Sequence, residues 1–173
     1  MLRVILGLGG NLGDVRDSFV NALGALSDIG RVGAVSRVWR TRAVGPPQPD
    51  YLNAAALLEW PSDPRQLFAR CLEVEKSAGR DRTREERWGP RALDLDLLLA
   101  DSFVCVGPML AVPHPRFHAR RFALEPAAEI APEWMHPLLG RTVAKLAEEA
   151  RQQEPDALLE VHDFEFSILN SLL

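Results

Sequence analysis

At 173 residues the chain has the length of one domain with a full hydrophobic core. Its 47% hydrophobic and 25% charged residues suit a soluble globular protein, and a formal net charge of −4 argues against a protein that grips nucleic acid by bulk charge. No apolar run reaches membrane-spanning length, Met1 to Ile5 leads into a strand rather than a cleavable signal, and Cys71 and Cys105 lack metal-type spacing, so a cytoplasmic protein with reduced thiols is expected.

Val4, Ile5, Leu6 and Leu8 form an apolar run of the kind a central strand buries on both faces. It is expected to end in a glycine-rich turn, Gly7 to Gly13. That turn lacks the lysine of a phosphate-binding loop and the spacing of a dinucleotide fingerprint, so it signals close backbone approach. Asp14 caps a helix in which Val15, Phe19, Ala22, Leu23 and Leu26 share one face. Arg31 to Thr41 reads as a strand whose alternation slips near Ala34 and Val35, as at a bulge. Three prolines and a glycine make residues 42–50 a loop, and Leu52 to Trp60 resumes as a strand.

Asp63, Pro64 and Gln66 predict a capped helix start with Gln66 closing a capping box; Leu67, Phe68, Cys71 and Leu72 form the buried face, and Gly79 ends the helix. Residues 80–91 are too charged for core and feed a strand that carries Asp94 and Asp96. A short strand at Val104 to Val106 and helices over Arg120 to Ile130 and Thr142 to Ala150 complete the pattern. Strands interleaved with two principal helices imply a single-domain α+β sandwich, its helices packed on a mixed or antiparallel sheet. Residues 1–153 are expected to form the domain. In the extension, residues 154–173, Leu158, Leu159, Val161, Phe164, Phe166, Ile168 and Leu169 are too apolar for a free tail. It is expected to pack on the domain or on a second subunit, and to be dispensable for chemistry.

The chemistry concentrates in Arg87 to Leu99. Alternate residues of a strand face the same way, which puts the Asp94 and Asp96 Cα atoms about 6.6–6.8 Å apart on one face. Two unpaired carboxylates side by side in an apolar strand are costly, and a shared cation removes the cost. Oxygen ligands with arginines beside them suit magnesium and phosphate rather than zinc. Arg80, Arg82, Arg84, Arg87 and Arg91 supply forks that match phosphate oxygens, against the alternative of a solvated loop partly neutralised by Asp81, Glu85 and Glu86. Trp88 in that loop either closes over a ligand or packs locally. Tyr51 and Asn53 lie on one face at a strand start, an aromatic and an amide that suit a flat heterocycle as well as an ordinary strand edge. His114 sits in a rigid proline-flanked segment, whereas His118, His136 and His162 read as incidental.

Gly-Gly-Asn-Leu-Gly at residues 9–13, Pro-Asp-Tyr-Leu-Asn-Ala at 49–54, Glu-Arg-Trp-Gly-Pro-Arg-Ala-Leu-Asp-Leu-Asp at 86–96 and Val-Pro-His-Pro-Arg-Phe at 112–117 together resemble the 6-hydroxymethyl-7,8-dihydropterin pyrophosphokinase family, in order from about residue 4 to 140. The resemblance implies a ferredoxin-like sheet and transfer of pyrophosphate from ATP, as co-substrate, to the pterin hydroxymethyl group, releasing AMP. It implies that Asp94 and Asp96 hold two Mg2+ ions and that Arg82 and Arg91 contact the phosphates. Glu75, Arg80, Trp88, Leu97, His114 and Arg120 fall at ATP-site positions. Tyr51 and Phe122 match the rings that sandwich the pterin, Asn53 the amide that reads its edge, and Thr41 and Val44 its backbone contacts. Leu72, Ala111 and Pro115 depart from the family pattern near the nucleotide. The expected partners are small-molecule substrates, with no nucleic acid or membrane, and the expected state is a monomer or weak homodimer. Two rival classes are another magnesium-dependent nucleotide enzyme, such as a nucleotidyltransferase, and a non-catalytic sensor. The pterin-type residues argue against the first and the retained carboxylate pair against the second.

Overall fold

The computed structural model describes residues 1–80, 89–154 and 158–162. In chain order the elements are β1 (Leu2–Gly10), α1 (Val15–Ser27), β2 (Arg31–Val35), β3 (Val38–Thr41), β4 (Tyr51–Trp60), α2 (Pro64–Ser77) and β5 (Asp94–Ala100). Then follow β6 (Cys105–Val106), β7 (Ala111–Val112), a 3-10 turn (Phe117–Ala119), α3 (Arg121–Ile130), β8 (Met135–His136), β9 (Arg141–Thr142), α4 (Val143–Gln153) and β10 (Leu158–His162).

A six-stranded antiparallel sheet, β10-β3-β4-β1-β5 with β2 also paired to β4, forms one layer of an α+β ferredoxin-like domain. On one face Val4, Leu6, Leu8, Leu58, Leu95 and Leu97 pack against Phe19, Leu23 and Leu26 of α1 and Leu67 and Cys71 of α2. On the other, Ile5, Ala55, Leu98 and Leu99 meet Leu124 and Ala127 of α3 and Val143, Leu146 and Ala147 of α4. β1 is covered on both sides, which explains its continuous apolar run: alternate residues feed opposite cores. Fully burying one such Leu or Phe side chain contributes about 1.5–3 kcal/mol.

Several expectations need correction. Arg31 to Thr41 is two strands, not one. Its register shift lies between Val32 and Ala34, and the chain breaks at Ser36. There the Ser36 N–H donates to the Ala55 carbonyl at 2.9 Å while its hydroxyl accepts from the Ala55 N–H at 2.9 Å, so a side chain replaces a ladder group. The glycine-rich turn begins later than its composition suggested, because β1 runs on through Gly7, Gly9 and Gly10, and only Gly13 has the left-handed φ of +67° that favours glycine. Close approach does apply at Gly10, where a Cβ would lie 2.5 Å from the Ala92 carbonyl oxygen. Gln66 does not close a capping box: Asp63 accepts from the Arg65 N–H at 2.7 Å, while the Gln66 side chain takes the Ser62 hydroxyl. The four expected helices cover the sheet among the described residues, α3 accommodating Pro126. The β8–β9 pair was not apparent from periodicity, two residues per strand being too short for alternation. Within it His136 is 3% exposed and edge-on to His118 at 6.1 Å, so it is a core residue rather than an incidental surface one.

Candidate active site

The edges of β1, β4 and β5 build the floor of a cleft beneath the start of α3. In the antiparallel register Gly9 faces both Asn53 and Asp94, and Gly7 faces Asp96, so two glycines lie between the amide and the carboxylates. Gly7, Gly9, Asn53, Asp94, Asp96, Arg120 and Phe122 all line this cleft. A side chain at Gly9 would stand 3.3 Å from the Asn53 Oδ1, and one at Gly7 3.0 Å from Leu98. Glycine at both positions keeps the floor open.

Asp94 and Asp96 share the cleft face of β5, while Leu95 and Leu97 point into the α1–α2 core. Their surroundings differ. Asp94 accepts from the Arg91 Nη1 at 3.2 Å and is bridged by Arg80, which also donates to the Glu75 Oε1 at 2.7 Å. No hydrogen bond reaches the Asp96 carboxylate from the described residues; the nearest cationic-type atom is the His114 Nε2 at 4.0 Å. Protein packed around Asp96 and the charge of Asp94 beside it push its carboxyl up to about 7. A bare carboxylate next to a second one, 39% of its side chain open to the cleft, is the donor set expected of an oxygen-ligated divalent cation, so the residues present fit one.

His114 reaches this position through a bulge. β5 pairs Ile5 with Leu99 and Leu6 with Leu97, which leaves Leu98 as the extra residue, and its carbonyl accepts the His114 N–H at 2.8 Å. The Val112–Pro113 peptide before it is cis. Burial and the nearby Arg120 and Arg116 guanidiniums push the His114 imidazole down to about 4, so it is neutral at pH 7. Its Nδ1 accepts from the Arg116 N–H at 3.2 Å, which puts the proton on Nε2, facing Asp96.

Arg91 is held by its backbone. Asn11 donates its N–H to the Arg91 carbonyl at 2.8 Å and accepts the Arg91 N–H on Oδ1 at 2.8 Å. The Asn11 amide also donates to Gln48 Oε1 at 3.0 Å and the Pro49 carbonyl at 2.9 Å, so one buried side chain ties the loop at 42–50 to the segment carrying Arg91. Sequence reasoning singled out the glycines around Asn11 and passed over the amide; an asparagine inside a glycine run, where caps and turns favour it, was the available signal. The Arg91 Nε is buried without a hydrogen-bond partner, and the Arg120 guanidinium, which lies 5.4 Å over the Phe122 ring, has none among the described residues.

On the far side of the floor Asn53, 6% exposed, donates from Nδ2 to the Thr41 Oγ1 at 2.8 Å, and the Tyr51 hydroxyl donates to the Gly89 carbonyl at 2.8 Å. The Phe122 ring, 36% exposed at the first turn of α3, faces into the same cleft.

Two of the assigned ATP-site positions have buried side chains. Leu97 is buried beneath α1 and α2, on the face opposite Asp96, so its side chain cannot line the cleft. Glu75 is 1% exposed and its carboxylate accepts the Leu95 N–H at 2.8 Å together with Arg80, so it anchors β5 and Arg80 from below. Arg80 itself is enclosed between Glu75 and Asp94, 5% of its side chain exposed. Val44 lies exposed on the loop. Arg82 and Trp88 lie outside the described residues.

Residues 5–132 match the model of the 7,8-dihydro-6-hydroxymethylpterin-pyrophosphokinase family. A 2-amino-4-hydroxy-6-hydroxymethyldihydropteridine pyrophosphokinase of Synechocystis is 41% identical over 150 residues, 84% of this chain and 74% of the relative. One from Aquifex aeolicus is 34% identical over 139 residues, 80% of this chain and 86% of the relative. Among solved structures, wild-type HPPK-DHPS of Plasmodium falciparum superposes with a TM-score of 0.68 at 13% identity, covering 89% of this chain but 45% of that one. This chain thus spans less than half of that longer protein, and the likeness bears on the fold alone. With a match across most of its length and relatives at this level of identity, the chain belongs to the 7,8-dihydro-6-hydroxymethylpterin-pyrophosphokinase family.

Proposed function

We propose that the cleft carries out the family's reaction as follows: Asp94 and Asp96 would hold two magnesium ions, Arg91 and Arg120 grip the ATP phosphates with Arg82, and the pterin lies between Tyr51 and Phe122 with Asn53 reading its edge. The chain is an ATP-dependent pyrophosphokinase of folate biosynthesis, acting on 6-hydroxymethyl-7,8-dihydropterin. The observation that carries the assignment is two adjacent carboxylates, Arg120, an amide and an aromatic ring around one glycine floor.

Transfer of a phosphoryl-type group asks the protein for in-line positioning and for neutralisation of charge rather than for a covalent intermediate. Magnesium held by the carboxylate pair would supply positive charge to the phosphate oxygens. Arg91 and Arg120 add positive charge. Asn53 and the rings orient the pterin so that its hydroxymethyl oxygen faces the β-phosphorus. The new oxygen–phosphorus bond forms as the bond from the β-phosphorus to the α-phosphate oxygen breaks; the hydroxyl proton passes to solvent and AMP leaves. Neutral His114 adds a donor beside Asp96 without adding charge.

The deciding assay follows AMP from MgATP with and without the hydroxymethyl pterin. Pterin-dependent AMP formation is expected. Release of inorganic pyrophosphate instead would identify a nucleotidyltransferase, and binding without turnover a sensor.

A further inference from the structure

The end of α4 touches α3, and the C-terminal strand β10 pairs with β3. The Arg121 Nη1 donates to the Glu154 carbonyl at 2.9 Å, pinning the end of α4 to the first turn of α3, beside Arg120 and Phe122. The same arginine donates to the Glu125 Oε1 at 3.0 Å, and Arg151 holds both Glu125 oxygens at 2.7 Å. At the sheet edge opposite β5, β10 pairs with β3: Leu158 faces Thr41, Glu160 faces Arg40, Val161 faces Trp39 and His162 faces Val38.

β3 needs that cover. It has four residues, of which Trp39, Arg40 and Thr41 pair with β4, and Thr41 is the last before the loop at 42–50. A short strand open on its outer side is the kind of segment that frays. Thr41 is also the acceptor for the Asn53 amide. Rotation about the last torsion of an asparagine is soft, and turning it over exchanges donor for acceptor. With one Nδ2 hydrogen committed to Thr41, the Asn53 Oδ1 is set toward Gly9 and the floor. A heterocycle edge carrying both donors and acceptors binds one orientation of the amide and not the other.

We infer that β10 is a positioning element for the pterin site: by closing the outer edge of β3 it fixes Thr41, and through Thr41 the orientation of the Asn53 amide. This rests on the reading of Asn53 as a pterin contact, and it replaces the expectation that residues 154–173 are dispensable for the chemistry.

The test compares the full chain with chains ending at His162 and at Glu154, and with Glu160→Pro and Val161→Pro, by steady-state kinetics in each substrate. Successive backbone N–H groups of a strand point to opposite sides, so one proline removes a ladder bond to β3 and the other does not. Ending the chain at Glu154, or the ladder-facing proline, is expected to raise the KM for the pterin roughly tenfold, about the worth of one hydrogen bond, with the KM for MgATP within twofold. Ending it at His162 and the outward-facing proline should leave both KM values unchanged. In a Thr41→Val background the loss of β10 should add little, because both changes free the same amide. If Asn53→Ala raises the pterin KM but loss of β10 does not, the inference is wrong. An equal rise in both KM values would also overturn it, marking β10 as a purely structural strand. If Asn53→Ala itself leaves the pterin KM unchanged, the reading of the pterin site fails instead. Should the chain ending at Glu154 not fold, the two prolines decide.

Discussion

On the β5 side of the cleft, Asp96 meets no hydrogen-bond donor among the described residues and the Arg91 Nε is buried without a partner. On the β3–β4 side Asn53 is bonded to Thr41, and Tyr51 to the Gly89 carbonyl. One half thus keeps the Asp96 carboxylate and the Arg91 Nε without hydrogen-bond partners among the described residues; the other is a neutral surface fixed within the protein. Groups left unsatisfied in a folded protein cost stability and are kept where function needs them. Groups satisfied in advance reduce the entropy lost on binding. The difference predicts that substitutions on the β5 side act on turnover and leave folding intact, whereas substitutions on the β3–β4 side and in the floor act on affinity and packing.

The largest effect is expected at Asp96. Asp96→Ala removes a ligand from the carboxylate pair, and loss of one such electrostatic group typically costs about 10²–10³ in turnover. It also removes the charge that Asp94 repels, so the melting temperature without magnesium should stay the same or rise. Single-turnover rates and thermal melts check both. A variant that unfolds at lower temperature would mean that Asp96 is a structural carboxylate after all.

Gly10→Ala should show the opposite pattern. Its Cβ would meet the Ala92 carbonyl oxygen at 2.5 Å and a Val15 methyl at 3.1 Å, both on the side away from the cleft. Overpacking of this kind costs about 1–3 kcal/mol, which for a domain of this size lowers Tm by about 2–4 °C per kcal/mol. Gly9→Ala, one residue away on the cleft side, meets only the Asn53 Oδ1 at 3.3 Å and the Asp94 Cβ at 3.9 Å. It should leave Tm nearly unchanged and weaken pterin binding. Equal loss of Tm in the two variants would show that the floor is ordinary core.

Phe122→Ala is expected to do less. An aromatic pair contributes about 0.5–1.5 kcal/mol beyond area burial, so pterin affinity should fall about three- to tenfold with little change in the single-turnover rate at saturation. Because Phe122 is 36% exposed, stability should scarcely move. Calorimetry with the pterin and a non-hydrolysable ATP analogue separates this from a loss of nucleotide affinity.

What the sequence made legible follows from how local each signal is. Asp94 and Asp96 were readable because a period of two fixes their common face whatever the rest of the chain does. β1, α1 and α2 were readable for the same reason, their apolar periodicity being long. The same alternation sends the Leu97 side chain to the other face. The break at Ser36 depends on a hydroxyl pairing with the backbone of Ala55, a contact 19 residues away that no window sees. Asn11 likewise gains its meaning from partners at 48, 49 and 91. The pairing of β10 with β3 joins segments more than a hundred residues apart, and composition indicated only that the extension was too apolar to be free.

The smallest expected effect is thermodynamic and isolates the charged half. Without metal the Asp96 carboxyl sits near 7 in the folded protein, raised by burial and by Asp94, against about 3.9 in the unfolded chain. Between those values the folded state holds the extra proton, so this group's contribution to stability falls as pH rises from about 4 toward about 7. Magnesium competes with that proton. At pH 8 it meets an ionised pair whose repulsion it relieves; at pH 6 it must first displace a proton. The gain in Tm on adding magnesium should therefore be larger at pH 8 than at pH 6. His114, pushed down to about 4, is already neutral in the folded protein at both values and does not account for the difference. In Asp96→Asn the carboxyl is gone, and the pH dependence of the magnesium gain should vanish with it. A gain that is equal at pH 6 and pH 8 in the native protein, or that keeps its pH dependence in Asp96→Asn, would place the cation elsewhere.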